Sequence, residues 1–510
     1  MAESSKASPT AAVGVPTMDG VDDANPPTRA SPKLGEEQQL FYLNGDGLSY
    51  EDFAMYRKNG YHPIILGDVL PKPGTCENDQ SKAPRYRVIQ KLGFGAFATV
   101  WLARDLLECR YVALKVCCGI DKPSFSRETN ILYGIQQSGR AHPGFDNILT
   151  FYEAFIISGP NGFHECLVTE VVAPLEGLGI KQGWPKKDIL RQIASAVLLL
   201  HSQGIAHGAP ALDADLHGDN FGVAAPGLQE ISEEDIQDFF LGDQEVLPVI
   251  PRDPIFPRNT VPAYVTPSAQ LGAFLAEQGQ YPKPISATIK LLDFGRAFSV
   301  DRSPRHLPGG APFQIRPPEV ILYDITNGNA GTVWSKEADI WALGCTIYPG
   351  ILVDQHGFRD FYQRLGNALR VGGSPPKEWL ECLDFEKLSS SISRDLRGSA
   401  PILSKDQLIL ELSEAAVTSW RDKQYRWDAQ SKGIIDLIQR MVVTEPSARL
   451  DIAGVLTHPW LCRDAMRACV FADSCIFYLP GGSGGTVIVD SGIKIIEEMW
   501  REEAAKYDGD

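Results

Sequence analysis

Asp215 and Asn220 frame the stretch "DLHGDN", and well downstream Asp293 opens "DFG" at the end of the apolar run "IKLL". An Asp and an Asn at that spacing, with a second Asp closing a strand, suit phosphoryl transfer. The first carboxylate accepts the proton of an attacking hydroxyl, while the amide and the second carboxylate hold a divalent cation against phosphate oxygens. Upstream, "GFGAFATV" (Gly93 to Val100) brings glycines whose backbone can approach phosphates because no Cβ intervenes. Lys115 lies among apolar residues in "VALKV", and a buried ammonium requires an anionic partner. Nucleotide phosphates and Glu128, in "FSRETNILYGI", are the anions available. Taken singly, each pattern is as often a tight turn, a surface acid or a solvated helix face, and Ala98 in place of a third glycine weakens the first. The ordered set is what carries the signal.

Those residues need particular elements beneath them. From Tyr86 to Val116, β-rich segments broken by glycines predict an antiparallel sheet with hairpin connections, with Lys115 on the next strand but one after the glycines. Glu128 falls near the start of a helix. In "PKKDILRQIASAVLLLHSQG", Ile189, Leu190, Ile193, Val197 and Leu198 recur at helical spacing, with Pro185 and Asp188 near the start and Gly204 past the end. This helix leads directly into "IAHGAPALDADLHGDNFGV". Between Asn220 and Asp293 the chain reads as an insertion, with Ser232 and Asp235 capping a short helix and a proline-studded extended run from Pro248 to Pro267. Helical patterns dominate from Trp334 to Trp460. Residues 1–40 are too poor in large apolar side chains to offset chain entropy and are expected to form a disordered arm. The extension 462–510 contains a flexible "PGGSGG" and one amphipathic helical pattern.

Composition bounds the rest. The chain has 510 residues, 44% of them hydrophobic, enough for a sizeable core. Its net charge of −16 argues against direct nucleic-acid binding and favours a basic protein partner. The ten cysteines show no paired C-x-x-C spacing, no apolar run approaches a membrane span, and the first residues lack a signal-peptide pattern. The expectation is a monomer in the cytoplasm, with the nucleus as a second location.

From about Tyr86 to Leu461 the chain resembles a eukaryotic-type protein kinase. Besides the motifs above, "RPPEV" (Arg316–Val320) resembles the close of the activation segment through Glu319, and "DIWALGC" resembles the helix whose Asp339 anchors the catalytic loop. Arg449 resembles the arginine that pairs with that glutamate. Within kinases, "YRKNGYHPIILGDVL", "KLGFGAFATVWLARD" and the hinge "HECLVTEVV" are similar to the SR-protein kinase family, as is the long spacer before "DFG". The resemblance implies an α+β, bilobal fold: a small antiparallel β-sheet lobe with one main helix (86–172) and a larger, mainly α-helical lobe (173–461, with a spacer at about 224–288), preceded by a lead-in segment (41–85). It implies ATP contacts from Gly93, Gly95, Val100, Ala113, Lys115, Glu128, Glu170 and Val172, Mg2+ on Asn220 and Asp293, and chemistry by Asp215, Lys115 and His217. The implied acceptor is serine, or threonine, in Arg/Ser-rich proteins, to which an acidic chain is complementary.

The sequence also departs from that pattern. Between His207-Gly208 and Asp215 stands "APALDA" (209–214), where kinases have a contiguous triplet, and Asp213 is a rival for the base. His217 replaces a lysine, so a neutral imidazole supplies only part of the usual charge and slower transfer is expected. Gly208 replaces an arginine that reads activation-loop phosphate, so constitutive activity is expected although Ser299 and Ser303 lie in that segment. Pro349 is expected to shorten or kink a central helix. Two alternatives stay open: a pseudokinase that binds nucleotide or acts as a scaffold, and a small-molecule phosphotransferase. The second lacks the "RPPEV" and "DIWALGC" elements.

Overall fold

A computed structural model describes residues 40–175, 186–208, 220–242, 246–300, 315–331, 334–347, 360–393, 404–425 and 429–462. The N-terminal arm, the 209–214 run, Asp215, His217, Ser303, Pro349 and the C-terminal extension past 462 lie outside the described residues.

The small lobe is a six-stranded antiparallel sheet in the order β1-β2-β3-β4-β6-β5. Its strands are β1 (Val69–Leu70), β2 (Tyr86–Gly95), β3 (Ala98–Asp105), β4 (Arg110–Cys117), β5 (Phe151–Gly159) and β6 (Gly162–Thr169). Val88, Trp101, Ala103, Val112, Leu114, Val116, Phe155, Cys166 and Val168 pack into one apolar layer, as alternation on pleated strands requires. Helix α1 (Arg127–Ser138) lies between β4 and β5 in sequence. It begins because Ser126 accepts from the Thr129 N–H, and Glu128 in its first turn favours the positive end of the helix dipole.

Three short strands, β7 (Val172–Pro174), β9 (Phe221–Ala224) and β12 (Ile289–Leu291), make a sheet in the order β12-β9-β7, while β8 (Ile205–Ala206) pairs with β13 (Phe298–Ser299). Helix α2 (Lys186–Ser202) packs its Ile189, Leu190, Ile193 and Val197 into the largest core. The same core takes side chains from α5 (Pro318–Ile325), α6 (Lys336–Ile347), α7 (Phe361–Gly372), α8 (Lys377–Cys382), α9 (Phe385–Ser393), α10 (Lys405–Tyr425), α11 (Ala429–Met441) and α12 (Ile452–Thr457). Every residue of α6 from Ala338 to Thr346 is buried, the signature of a helix at the centre of a bundle. The architecture is bilobal α+β.

The spacer folds more than its prolines predict. Helix α3 (Glu233–Gly242) starts with Ser232 and Asp235 bonded reciprocally, as expected. The run expected to be extended instead doubles back, so that β10 (Leu247–Pro248) pairs with β11 (Tyr264–Val265), and a further helix, α4 (Leu271–Glu277), follows. Prolines at strand ends and edges are compatible with such pairing, which hides this hairpin from propensity. Ile236, Phe240, Leu271, Phe274 and Leu275 pack against Ile89, Leu102 and Tyr111 of the small lobe. Val249, Val261 and Val265 pack against Phe41, Phe53, Tyr56 and Tyr61 of the lead-in segment.

Candidate active site

Strand β4 presents Lys115 toward α1, where its Nζ lies 2.6 Å from Glu128 Oε2 and 3.9 Å from Asp293 Oδ1. The Lys115 side chain retains 27% of its exposure, so the pair opens onto the cleft. Burial works against the Lys115 charge, but Glu128 and then Asp293 more than offset it, holding the ammonium well above the usual lysine range. Asp293 shows the reciprocal balance. Burial pushes its carboxyl up, yet Lys115, His207 and the Gly295 N–H bring it below the ordinary aspartate value. Asp293 also adopts a left-handed backbone (φ 55, ψ 75), which Asp tolerates better than most residues, and its side chain accepts from the Gly295 N–H.

The glycines sit at the end of β2. Gly93 faces Val100, and Val100 in turn faces Lys115, so three strands stack the turn above the lysine. A Cβ built on Gly93 or Gly95 would meet no atom within 4 Å. Packing within the chain therefore does not demand glycine at either position, and the space in front of the turn is open to a ligand. Ala113, buried on β4, pairs with Thr169 at the end of β6, and Val100 and Val171 join Ala113 in an apolar cluster beneath the glycine turn. Val172 begins β7 and is half-buried. Glu170 spends its carboxylate structurally: Oε1 accepts from the Thr150 N–H at 2.7 Å and lies 2.8 Å from Lys290 Nζ. Its backbone N–H also donates to the Thr150 carbonyl at 3.0 Å, so the Glu170 carbonyl, which accepts from Thr169 Oγ1 at 3.2 Å and keeps a second lone pair, is the group to consider for recognition.

On the large-lobe side, strand pairing sets the geometry. Phe221 on β9 is opposite Leu291 on β12, and the Leu292 N–H donates to the Asn220 carbonyl at 2.8 Å. Asn220 and Asp293 thus end two neighbouring strands, which lie about 4.8 Å apart in such a ladder, although the spacer separates them in sequence. Asp339, at 0% exposure, fastens the stretch before the 209–214 run. Its two oxygens accept from the His207 N–H at 2.8 Å and the Gly208 N–H at 2.9 Å, and His201 Nε2 is 2.9 Å away. His207 Nε2 meets the Leu292 carbonyl at 2.9 Å, and its ring stands edge-on to Phe294, with centroids 5.2 Å apart. Gly208 has φ +81, and a Cβ there would come within 2.7 Å of the Arg296 carbonyl, so this backbone has no room for the arginine found elsewhere. Asp215 and His217 lie outside the described residues.

Glu319 and Arg449 meet as a buried bidentate pair at 2.7 and 2.8 Å. Two contacts near the site were not legible in the sequence. The Arg296 guanidinium lies 5.6 Å from the ring of Phe97 at the tip of the glycine turn, and the Tyr61 hydroxyl donates to the Gly95 carbonyl at 2.7 Å. Tyr61 joins the glycine turn only through tertiary folding, so no local pattern announces it.

No family model matches the chain. A serine/threonine protein kinase of Aspergillus fumigatus is 25% identical over 428 residues, covering 81% of this chain and 90% of that protein. Protein kinase dsk1 of Schizosaccharomyces pombe is 25% identical over 496 residues, covering 81% and 85%. Human SRSF protein kinase 3 is 36% identical over 170 residues, covering 32% of this chain and 28% of that protein. A kinase-domain crystal structure aligns with a TM-score of 0.43 and 19% identity over 78% of this chain and 99% of that one. All of the named relatives are protein kinases, so the scaffold alternative is not favoured. The chain is thus similar to serine/threonine protein kinases, SR-protein kinases among them.

Proposed function

We propose that the cleft beneath the glycine turn takes ATP with Mg2+, and that the γ-phosphate passes to serine hydroxyls of Arg/Ser-rich basic proteins. The reading is carried by one observation: Lys115 is held between Glu128 and Asp293, partly exposed, below a glycine turn with open space before it. Asn220 and Asp293 would hold Mg2+, which would supply positive charge to neutralise the nucleotide phosphates. Asn220 and Asp293 suit it, since Mg2+ needs only one or two protein carboxylates beside phosphates. Among the described residues, no cluster of three or more His, Cys, Asp or Glu offers an all-protein cage. Asp293 is ionised across the physiological range, because its carboxyl is held low.

Lys115 places the α- and β-phosphates, and Glu128 fixes the lysine. Gly93 and Gly95 admit the phosphates to the backbone, while Val100, Ala113 and Val172, with the backbone at Glu170, line the base. Asp215 takes the serine proton and His217 donates to the phosphoryl group. The net charge of −16 suits a basic substrate, and relatives named as SRSF protein kinase point to the same class. The chain acts as a monomer in the cytoplasm and nucleus. Incorporation of labelled γ-phosphate into an Arg/Ser peptide and a neutral Ser peptide, by wild type and Asp215→Ala, tests this. Preference for the basic peptide, with loss of about 100-fold or more in the variant, is expected. Equal rates for wild type and variant would remove Asp215 from the mechanism.

A further inference from the structure

Glu165 stands in the middle of β6 and is 4% exposed. A buried carboxylate is costly unless donors surround it, so its partners identify its task. The Ser126 N–H, immediately before α1, donates to Glu165 Oε1 at 3.0 Å, and the Cys117 thiol lies 3.9 Å from Oε2. Burial pushes the Glu165 carboxyl up, and hydrogen bonds from the start of α1 oppose that rise.

The sheet register explains why this matters. Lys115 pairs with Leu167 and Val116 with Cys166, so the next step along the ladder sets Cys117 beside Glu165. Residues two apart on a strand share a face, which puts Glu165 on the face from which Lys115 reaches Glu128. One sheet face therefore grips the start of α1 twice: at Ser126 through Glu165, and at Glu128 through Lys115. The first grip uses no residue of the activation segment.

We propose that Glu165 is a positioning residue that fixes the first turn of α1 on the sheet and so keeps Glu128 on Lys115. The proposal rests on the role given above to the Lys115–Glu128 pair. In the full chain, kcat/KM for MgATP with an Arg/Ser peptide should fall about tenfold in Glu165→Leu. Glu165→Gln, which keeps an acceptor oxygen for the Ser126 N–H, should recover to within about threefold of wild type. Because Glu165 acts through Glu128, adding Glu165→Leu to Glu128→Gln should cost nothing further, a result that general destabilisation does not give. A Glu165→Leu rate within about twofold of wild type, or losses that multiply in the double variant, would overturn the proposal. Should the Leu variant not fold, Glu165→Asp decides. Withdrawing the carboxylate by one methylene should lower kcat/KM severalfold, and full activity would count against Glu165. A Glu128→Gln enzyme as fast as wild type would instead overturn the reading of the site itself.

Discussion

Two lysines on the same sheet make glutamate pairs of nearly equal length, and they differ in everything else. Lys91 on β2 and Glu51 in the lead-in segment are both at 0% side-chain exposure. Lys91 Nζ lies 2.6 and 2.5 Å from the two Glu51 oxygens and 2.9 Å from the Thr266 carbonyl, which occupies all three of its donors. The Tyr56 hydroxyl donates to the same carboxylate at 2.7 Å. Lys115 has Glu128 at 2.6 Å, Asp293 only at 3.9 Å, and an exposed flank. Burial pulls the Lys91 ammonium below the usual lysine range despite Glu51, whereas carboxylates on two sides hold Lys115 above it. A saturated, dry pair joins three chain segments. An unsaturated pair at a cleft edge retains capacity for a ligand, and it is this incompleteness, not pair length, that separates the candidate site from a structural joint.

The largest effect expected on the structural side comes from Lys91→Met. It leaves Glu51 buried without its cation, a loss of about 3–5 kcal/mol, read as a lower urea midpoint. The double variant Lys91→Met/Glu51→Leu removes both charges and should recover much of that stability, whereas simple additivity would break the comparison.

Next comes a pH effect in the same lead-in region. His62 and His164 are buried with ring centroids 4.7 Å apart. Burial holds His62 down to about 3 and His164 below the usual imidazole value. The unfolded chain takes up a proton on each near pH 6.5 while folded His62 stays neutral, so stability falls as pH drops below that value. From His62 alone the loss is about 2 kcal/mol between pH 6.5 and 5. Urea midpoints at pH 7 and 5 should show a smaller acid loss in His62→Gln than in wild type. The smallest effect expected is from Tyr61→Phe, which deletes only the hydroxyl on the Gly95 carbonyl. A cost of about 1 kcal/mol should appear as a roughly fivefold higher KM for ATP at unchanged kcat, and a lower melting temperature with unchanged KM would assign that contact to structure alone.

The sequence made one of the two lysines legible and not the other, for a physical reason. Lys115 could be read because its partner Glu128 lies 13 residues away at a recognisable helix start, in a chain that also carries the "DFG" run. Lys91 in "VIQKLGF" is flanked in much the same way, but its partner is 40 residues upstream and its third acceptor 175 residues downstream. Only the folded spacer and lead-in segment bring them together. The β10–β11 hairpin was concealed in the same manner, by prolines that local propensity reads as unpaired. Glu165 did carry a local signal, an acid inside the apolar strand "HECLVT", yet its meaning depended on strand register. The motifs whose partners are close in sequence, or whose spacing is fixed by a strand end, were legible. Those assembled by long-range packing were not, except where the family resemblance supplied them, as for Glu319 with Arg449 and for Asp339 beneath His207 and Gly208.

The most direct test is the initial rate of γ-phosphate transfer from MgATP to an Arg/Ser peptide, per folded molecule, in Lys115→Met. The account predicts a rate at least about 100-fold below wild type at an essentially unchanged melting temperature. A rate within about threefold of wild type, or a loss that merely tracks unfolding, would contradict it.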